Sequence, residues 1–422
     1  MLPLHPPIES WPLVVVGAGA AGLLAAIAAA QAGARVLLLE TRRRPGAKIR
    51  ASGGGRCNVL PSHVLLDDFA TSGSTKALRN VLFSWPLAAV RQFFETELGV
   101  ALKCEASGKL FPVSDSAKEV VDALLACVQR LGIELRGDAQ LVDLQPDPAG
   151  LRLQLLDGRV LLAQRVVLAT GGLSLPKTGS DGGGWRLTGA LGHKLVAPSP
   201  ALVPLHLDAP ALHDLAGLSL PVVLRAWAGA QLLQAVAGDI LLTHRGLSGP
   251  ATLDISAQLT DPASRLPAAP RRRLTLQWGA QPWAPLLAAP GALRLGAALR
   301  SRLPRRLADL LLAQSGLPAE QTLCTLARAP RADLAGLLDA SAPPLVGDGG
   351  YRLAEVTAGG VPLGEVHARS LESRCVPGLH LAGEMLDVTG RLGGYNFLWA
   401  WVSGRRAGQA AASALVPAQR PC

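Results

Sequence analysis

Gly17-Ala18-Gly19-Ala20-Ala21-Gly22, followed by Glu40 18 positions after the last glycine, is the group of residues whose spacing most plainly implies chemistry. Gly17 permits a tight turn, Gly19 lets the backbone approach a diphosphate, and Gly22 allows a helix to pack closely on a strand. A helix beginning here offers free N–H groups and the positive end of its dipole to phosphate. Glu40 would accept hydrogen bonds from ribose hydroxyls. The chemistry implied is the binding of a dinucleotide.

Such a glycine run means little without the elements that position it. Leu13-Val14-Val15-Val16 is a short aliphatic run of the kind buried on both faces in a parallel sheet. An Ala/Leu-rich helix, Leu23 to Ala32, follows and is closed by Gly33; Arg35 to Glu40 then reads as a second strand. The fingerprint therefore sits in a βαβ unit. The glycine runs at 171–172, 179–184 and 347–350 lack that context, so no second nucleotide motif is present. One site near the start of the chain, with nothing comparable for NAD(P), points to a tightly held FAD.

A second polar glycine loop, Ser52-Gly53-Gly54-Gly55-Arg56-Cys57-Asn58, follows the second strand. Three consecutive glycines cost backbone entropy and pack nothing, so a ligand against the backbone is the simplest reason for them. Arg56 could pair with phosphate and Asn58 with the flavin. Cys57 has no resolving thiol nearby, and no thiol-redox role is expected of it.

Composition bounds the rest. The 422 residues are too many for one core, and with 49% hydrophobic and 17% charged residues the chain is not disordered. The 46 glycines follow no collagen period and suit tight βα turns. The net charge of +10 comes from 41 basic residues, 34 of them Arg, scattered without an aromatic-interleaved ribbon. A generally basic surface is the favoured reading of that charge, and nucleic acid is not the expected partner. Six cysteines (57, 104, 127, 324, 375 and 422) show no CxxC and no His/Cys spacing for zinc, so no metal is expected and a reducing cytoplasm is. Leu13 to Ala32 is twenty residues without a charge, but its glycines and the absence of Lys or Arg before residue 35 argue against a membrane span or signal peptide.

Further along, 74–98 and 115–131 read as helices, the second capped by Ser114 and stopped by Gly132. Leu141 to Leu144, Leu151 to Leu155, Val160 to Leu162 and Val166 to Ala169 read as strands, with Asp157-Gly158 as a hairpin turn. Beyond Pro198, Pro punctuates short aliphatic runs at Leu218 to Trp227, 240–243 and 274–278. Residues 284–342 have helical spacing, with segments from Leu293 to Leu303 and from Pro304 to Leu312. The tail returns to a nucleotide-binding pattern. A strand at Leu379 to Leu381 precedes Gly383-Glu384 and Asp387, and Gly393-Gly394-Tyr395-Asn396 then opens a helix, Phe397 to Ala411. A helix N-terminus there would favour negative charge on the flavin.

The fold class expected is α/β: a Rossmann-like, glutathione-reductase-type FAD domain with an inserted β-barrel-like domain and a small helical insert. The boundaries expected are 1–196 for the first part of the FAD domain, 197–280 for the β-rich insert, 281–344 for the helical insert and 345–422 for the return.

Several motifs together resemble a known family. They are Ser52 to Asn58, Phe111-Pro112-Val113-Ser114, Ala169-Thr170-Gly171-Gly172 with Pro176-Lys177-Thr178-Gly179, Thr243 to Pro250, Val356 to Val361, and Gly393 to Asn396 with Trp399-Ala400. In order over nearly the whole chain, they resemble the BaiN-like, or aminoacetone-oxidase-like, bacterial FAD-dependent oxidoreductases. The resemblance implies FAD held by Gly17, Gly19, Ala20, Gly22, Glu40, Thr41, Lys48, Ser52, Gly53, Gly54, Arg56, Cys57, Asn58, Leu141, Thr170, Gly171, Gly383, Glu384, Asp387, Gly393, Gly394, Tyr395 and Asn396. Leu175 and Trp185 stand where the family usually has Tyr, and Leu398 where it has Gln, so the resemblance leaves the substrate open.

The expected activity is hydride transfer between a small organic substrate and the flavin, with dioxygen or NAD(P)H as the second redox partner. Lys177, His244, Arg245 and Tyr395 are the polar side chains of interest, and no catalytic residue is assigned. The alternatives are a flavin-dependent tRNA-modifying enzyme, motivated by the charge, and a non-enzymatic flavin-binding protein.

Overall fold

A computed structural model describes residues 8–261, 270–289 and 292–415; Cys422 lies outside them. The chain divides into two compact units, Met1–Pro198 with Glu355–Cys422, and Ser199–Ala354.

The first unit is built on a parallel sheet. Strand β1 (Glu9–Val16) leads into helix α1 (Ala20–Gln31) and strand β2 (Val36–Leu39). Helix α2 (Ala117–Arg130) leads to β3 (Glu134–Arg136), followed by β4 (Leu141–Asp147), β5 (Gly150–Leu155), β6 (Val160–Leu168) and helix α3 (Gly183–Ala190). Strand β7 (Leu379–Leu381) and helix α4 (Tyr395–Ser413) come from the C-terminal return. The parallel order is β3-β2-β1-β6-β7, with Val14 beside Leu37 on one edge and beside Val166 on the other. Leu13, Val14, Val15, Leu37, Leu38 and Leu39 are fully buried, as expected of strands covered on both faces.

Two segments expected as separate strands, 160–162 and 166–169, form the single strand β6. Its first half pairs antiparallel with β5, Leu161 opposite Leu153. Its second half pairs parallel with β7, Val167 opposite His380. Gln164 and Arg165 interrupt the apolar run where that edge changes partner, and the backbone continues through them.

Helix α4 lies backbone to backbone against α1. A Cβ at Gly404 would stand 2.1 Å from the Ala21 carbonyl oxygen, and one at Gly408 2.0 Å from that of Ala25. Small residues one helical turn apart on both helices make this approach possible.

Two expected helices differ. The stretch 74–98 is broken into Thr75–Leu82 and Leu87–Gln92, the latter running into a π-turn at Phe93–Glu97, because Pro86 cannot continue a helix. Helix α2 begins at Ala117 after Ser116. Ser114 is not its cap; its hydroxyl meets the Glu119 carboxylate instead, and Asp115 turns the chain at φ 52°.

In the second unit a six-stranded antiparallel sheet has the order 272–278, 219–228, 231–243, 246–248, 205–207, 345–348. Leu224, Leu242 and Leu276 from its strands share one core with Leu299, Leu307, Leu311 and Leu338 from the helical stretch. No helix among the described residues is long and apolar enough to cross a membrane.

Candidate functional site

The loops after four neighbouring parallel strands are stitched together. Gly17 N–H donates to Leu39 O (2.8 Å), Glu40 N–H to Arg136 O (2.9 Å), Ala169 N–H to Val16 O (2.9 Å) and Ala382 N–H to Leu168 O (3.0 Å). Each strand end thus fixes the start of a neighbour's loop, and residues 17–19, 40–42, 169–172 and 382–384 form one rim. In open parallel sheets ligands bind at this carboxyl edge.

The three fingerprint glycines have different reasons. Gly17 has φ +100°, and its Cβ would lie 2.5 Å from Ala169 O; a Cβ at Gly22 would lie 1.7 Å from Gly17 O. Both are required by the protein's own packing. A Cβ at Gly19 would meet no protein atom within 4 Å, so the protein itself leaves that face open. Gly19 is also the N-cap of α1, no side chain caps the helix there, and its first turn, from Ala20, carries no acid. This end of α1 therefore offers its N–H groups to an anion from outside the protein.

Glu40 is buried beside it. One carboxylate oxygen accepts the Ala18 N–H and the other the Arg42 N–H, each at 2.9 Å. Burial pushes its pKa up, and these N–H groups partly oppose the rise. Each oxygen keeps a further lone pair for a hydroxyl donor. Thr41 follows, half-buried.

Lys48 and Glu384, both expected at the cofactor, meet each other. Lys48 Nζ lies 2.6 Å from Glu384 Oε2 and 2.7 Å from Ser174 Oγ. Glu384 Oε1 accepts from the Thr357 N–H (2.7 Å) and the Ser174 hydroxyl (2.9 Å). Burial alone would raise the Glu384 pKa; the Lys48 ammonium and these donors hold it below its ordinary value. Ser174 and Thr357 were not singled out from sequence, although both lie in or next to motifs that were. Gly171 (φ +78°) leaves only 2.7 Å between a Cβ and Ser180 Oγ, and the neighbouring Thr170 hydroxyl is buried without a hydrogen-bond partner.

The 52–58 loop meets the start of α4. Gly53, Gly54 and Gly55 have φ of 56°, 68° and 88°, a left-handed run that glycine alone adopts easily. Ser52 Oγ donates to Ile49 O (2.8 Å). With its amide turned to satisfy both neighbours, Asn58 donates to Leu60 O (3.2 Å) and accepts from Gly394 N (3.0 Å). Its side chain thus ties two parts of the chain together. Arg56 pairs with Glu105 (2.7 Å) over the Phe111 ring. Cys57 is fully buried, its thiol pushed up to about 12 by burial, which makes it inert at neutral pH.

The remaining expected residues mostly hold the return segment. Asp387 accepts from Ser72 N–H (2.8 Å) and Ser72 Oγ (2.5 Å). Asn396 exchanges two 2.8 Å bonds with Gly390, and Tyr395 packs edge-on against Phe69. Gly383 N–H donates to Ser403 Oγ, its carbonyl accepts from Trp399, and a Cβ there would meet Ala21 at 2.7 Å. Gly393 and Gly394 have φ of 126° and 92°, and no side chain caps the helix that follows. Leu141 opens β4 at the meander. Lys177, His244 and Arg245 are exposed. A dinucleotide fits what is present: an uncapped helix start beside an unobstructed glycine, and a carboxylate with spare acceptor capacity.

Residues 12–410 match the model of the HI0933-like protein Rossmann domain. A ribosomal RNA dihydrouridine synthase of Escherichia coli (strain K12) is 34% identical, covering 94% of this chain and 96% of that protein. A 3-dehydro-bile acid delta(4,6)-reductase of Clostridium scindens is 32% identical, covering 94% and 98%. Among solved structures, the open conformation of a flavocytochrome c3 fumarate reductase covers 97% of this chain and 79% of its own, with a TM-score of 0.53 at 18% identity, a likeness of fold. The chain belongs to the HI0933-like family, in keeping with its BaiN-like motifs; it is an FAD-dependent oxidoreductase.

Proposed function

We propose that this HI0933-like flavoprotein reduces a carbon–carbon double bond conjugated to a carbonyl group. One observation carries the reading: two differently named full-length relatives, at 34% and 32% identity, converge on that bond type. Dihydrouridine is uridine saturated at C5–C6, a bond conjugated to the C4 carbonyl. A delta(4,6) unsaturation in a 3-dehydro bile acid is conjugated to the 3-oxo group. In both, a hydride adds to a carbon of the conjugated system remote from the carbonyl, and a proton completes the saturation. The hydride carrier is FAD, whose reducing equivalents would come from NAD(P)H or another reduced carrier.

The chain's own residues would then bind and orient. The N–H groups at the start of α1 would receive the pyrophosphate, with Gly19 giving it access. Glu40 would accept from the ribose hydroxyls. The Lys48–Glu384–Ser174–Thr357 network would hold the 48, 174 and 384 segments in register behind it. The N-terminus of α4 would favour negative charge on the ring system.

Between substrate classes, the relative named as a ribosomal RNA dihydrouridine synthase brings a uridine within RNA forward beside a free small molecule, while the scattered basic residues alone read as a generally basic surface. The test is product analysis: ribosomal RNA lacking dihydrouridine, and separately a conjugated 3-oxo steroid, incubated with the holoprotein and NADPH. Dihydrouridine by mass spectrometry supports the RNA reading. A saturated ketone alone supports the small-molecule one. Reduction of neither, under conditions where NADPH reduces the flavin, contradicts the proposal.

A further inference from the structure

His193, Glu365 and Cys375 come together in the first unit, from three segments far apart in sequence. His193 Nδ1 stands 3.4 Å from Glu365 Oε2 and 3.9 Å from Cys375 Sγ, and Cys375 Sγ stands 3.6 Å from Glu365 Oε2. Around a tetrahedral zinc ion, with Zn–S of about 2.3 Å and Zn–N and Zn–O of about 2.0 Å, such atoms stand roughly 3.3–3.6 Å apart. The observed triangle fits after a closure of a few tenths of an ångström on the Cys–His edge.

Each ligand is placed by its own backbone. His193 follows α3, its N–H donating to Thr188 O (3.0 Å). Glu365 ends a short turn, its N–H donating to Pro362 O and its carbonyl accepting from Arg374 N–H, both at 2.9 Å. Ser373 Oγ accepts from the N–H groups of Cys375 (3.0 Å) and Val376 (2.8 Å), which fixes the cysteine loop. The same hydroxyl makes a 2.7 Å bond to His193 Nε2, which orients the imidazole with Nδ1 toward the other two atoms.

The geometry points to a binding site for a divalent transition-metal ion of the zinc class, ligated by His193 Nδ1, Glu365 and Cys375 Sγ. A thiolate, an imidazole and a carboxylate are a donor set of intermediate softness that suits zinc and disfavours magnesium or calcium. The thiolate and carboxylate together neutralise the ion's charge. The His193 side is buried and the Cys375 side exposed, so the fourth position opens to water. Bound there, the ion clamps the segment after α3 to the C-terminal return. The sequence hides the site because its ligands are 172 and 10 residues apart, unlike any short zinc motif.

The test uses the purified holoprotein loaded with zinc chloride, desalted, and measured for metal by mass spectrometry. Retention of about one zinc per chain is expected, with at least a tenfold loss in Cys375→Ser and in His193→Gln. Cys104→Ser, which alters an exposed cysteine outside the cluster, should retain zinc as the unaltered chain does. Because His193 is buried and its variant could misfold, Cys375→Ser, altered at an exposed position, decides the matter. In a cobalt-loaded sample a thiolate-to-cobalt band should appear in the difference spectrum and vanish in that variant. If the unaltered chain retains no more zinc than Cys375→Ser, the three side chains are joined by hydrogen bonds alone and the inference is overturned.

Discussion

Lys48 and Glu384, 336 positions apart, close an ion pair of 2.6 Å that joins the N-terminal half of the FAD domain to its C-terminal return. The pair is mostly shielded, with side chains 21% and 17% exposed, and both groups also bond to Ser174. Removing the ammonium leaves a shielded carboxylate without its counter-charge. Lys48→Met should destabilise the fold by about 2 kcal/mol, between the small value of exposed pairs and the larger one of buried pairs. Denaturant unfolding measures it, and adding Glu384→Gln should recover part of the loss. A neutral Lys48→Met would show that the pair does no structural work.

The same pair sets a pH dependence. The Glu384 pKa is lowered in the folded state, so its contribution is present above the ordinary glutamate value, about 4.3. It is lost as pH falls through the lowered folded value. Melting temperatures taken downward through the acid range should therefore fall more steeply in the unaltered chain than in Lys48→Met. Parallel curves would contradict the coupling.

The α1–α4 contact gives a packing test. Gly404→Ala and Gly408→Ala should each cost about 1–3 kcal/mol, because the new Cβ would overlap a carbonyl oxygen of α1. Gly189→Ala in α3, where nothing lies within 4 Å of the new Cβ, should instead stabilise by up to about 1 kcal/mol. Thermal unfolding of the three separates crowding from helix propensity.

The fingerprint glycines separate folding from cofactor binding. Gly19→Val adds a side chain where no protein atom stands in the way of its Cβ. It should leave the flavin-free protein folded while weakening FAD at least about tenfold, a loss of about 1.4 kcal/mol. Gly22→Ala should unsettle the turn itself, because its Cβ collides with Gly17 O. Flavin titration and circular dichroism on both variants tell the effects apart. Unchanged FAD affinity in Gly19→Val would remove that face from the site.

Thiol chemistry supplies a further check. With its thiol pushed up to about 12 and no exposed surface, Cys57 should resist iodoacetamide at mild alkaline pH while Cys104 and Cys324 react. Peptide mapping reads the order. Early labelling of Cys57 in the folded protein would contradict the burial of this loop.

The parts legible in the sequence are those set by local physics. The β1-α1-β2 unit announces itself because each glycine requirement and the Glu40 position arise within 24 residues. The glycine loop at 53–55 is legible as a loop, whereas its left-handed run, which glycine alone adopts cheaply and which by itself calls for three glycines, emerges only in the structure. What the sequence hid depends on pairing across distance. Arg56 and Asn58 have side chains suited to a ligand, and each also has a distant protein partner, Glu105 and Gly394, that local spacing does not announce. The continuity of β6 was masked by Gln164 and Arg165, whose polarity reflects a change of edge partner rather than a chain break. The pairing of Gly404 and Gly408 with α1 leaves no hydrophobic-period signal, because what matters is the missing Cβ.

The proposed reaction is tested most directly by the oxidative half-reaction. The holoprotein is reduced without air and mixed in turn with a uridine-containing ribosomal RNA, a conjugated 3-oxo steroid, the same steroid with its double bond out of conjugation, and aerated buffer. Rapid return of the oxidised flavin spectrum is expected with a conjugated substrate, together with its saturated product, and little return with the unconjugated steroid. Fast reoxidation by air with stoichiometric peroxide, and none by either conjugated substrate, would contradict it.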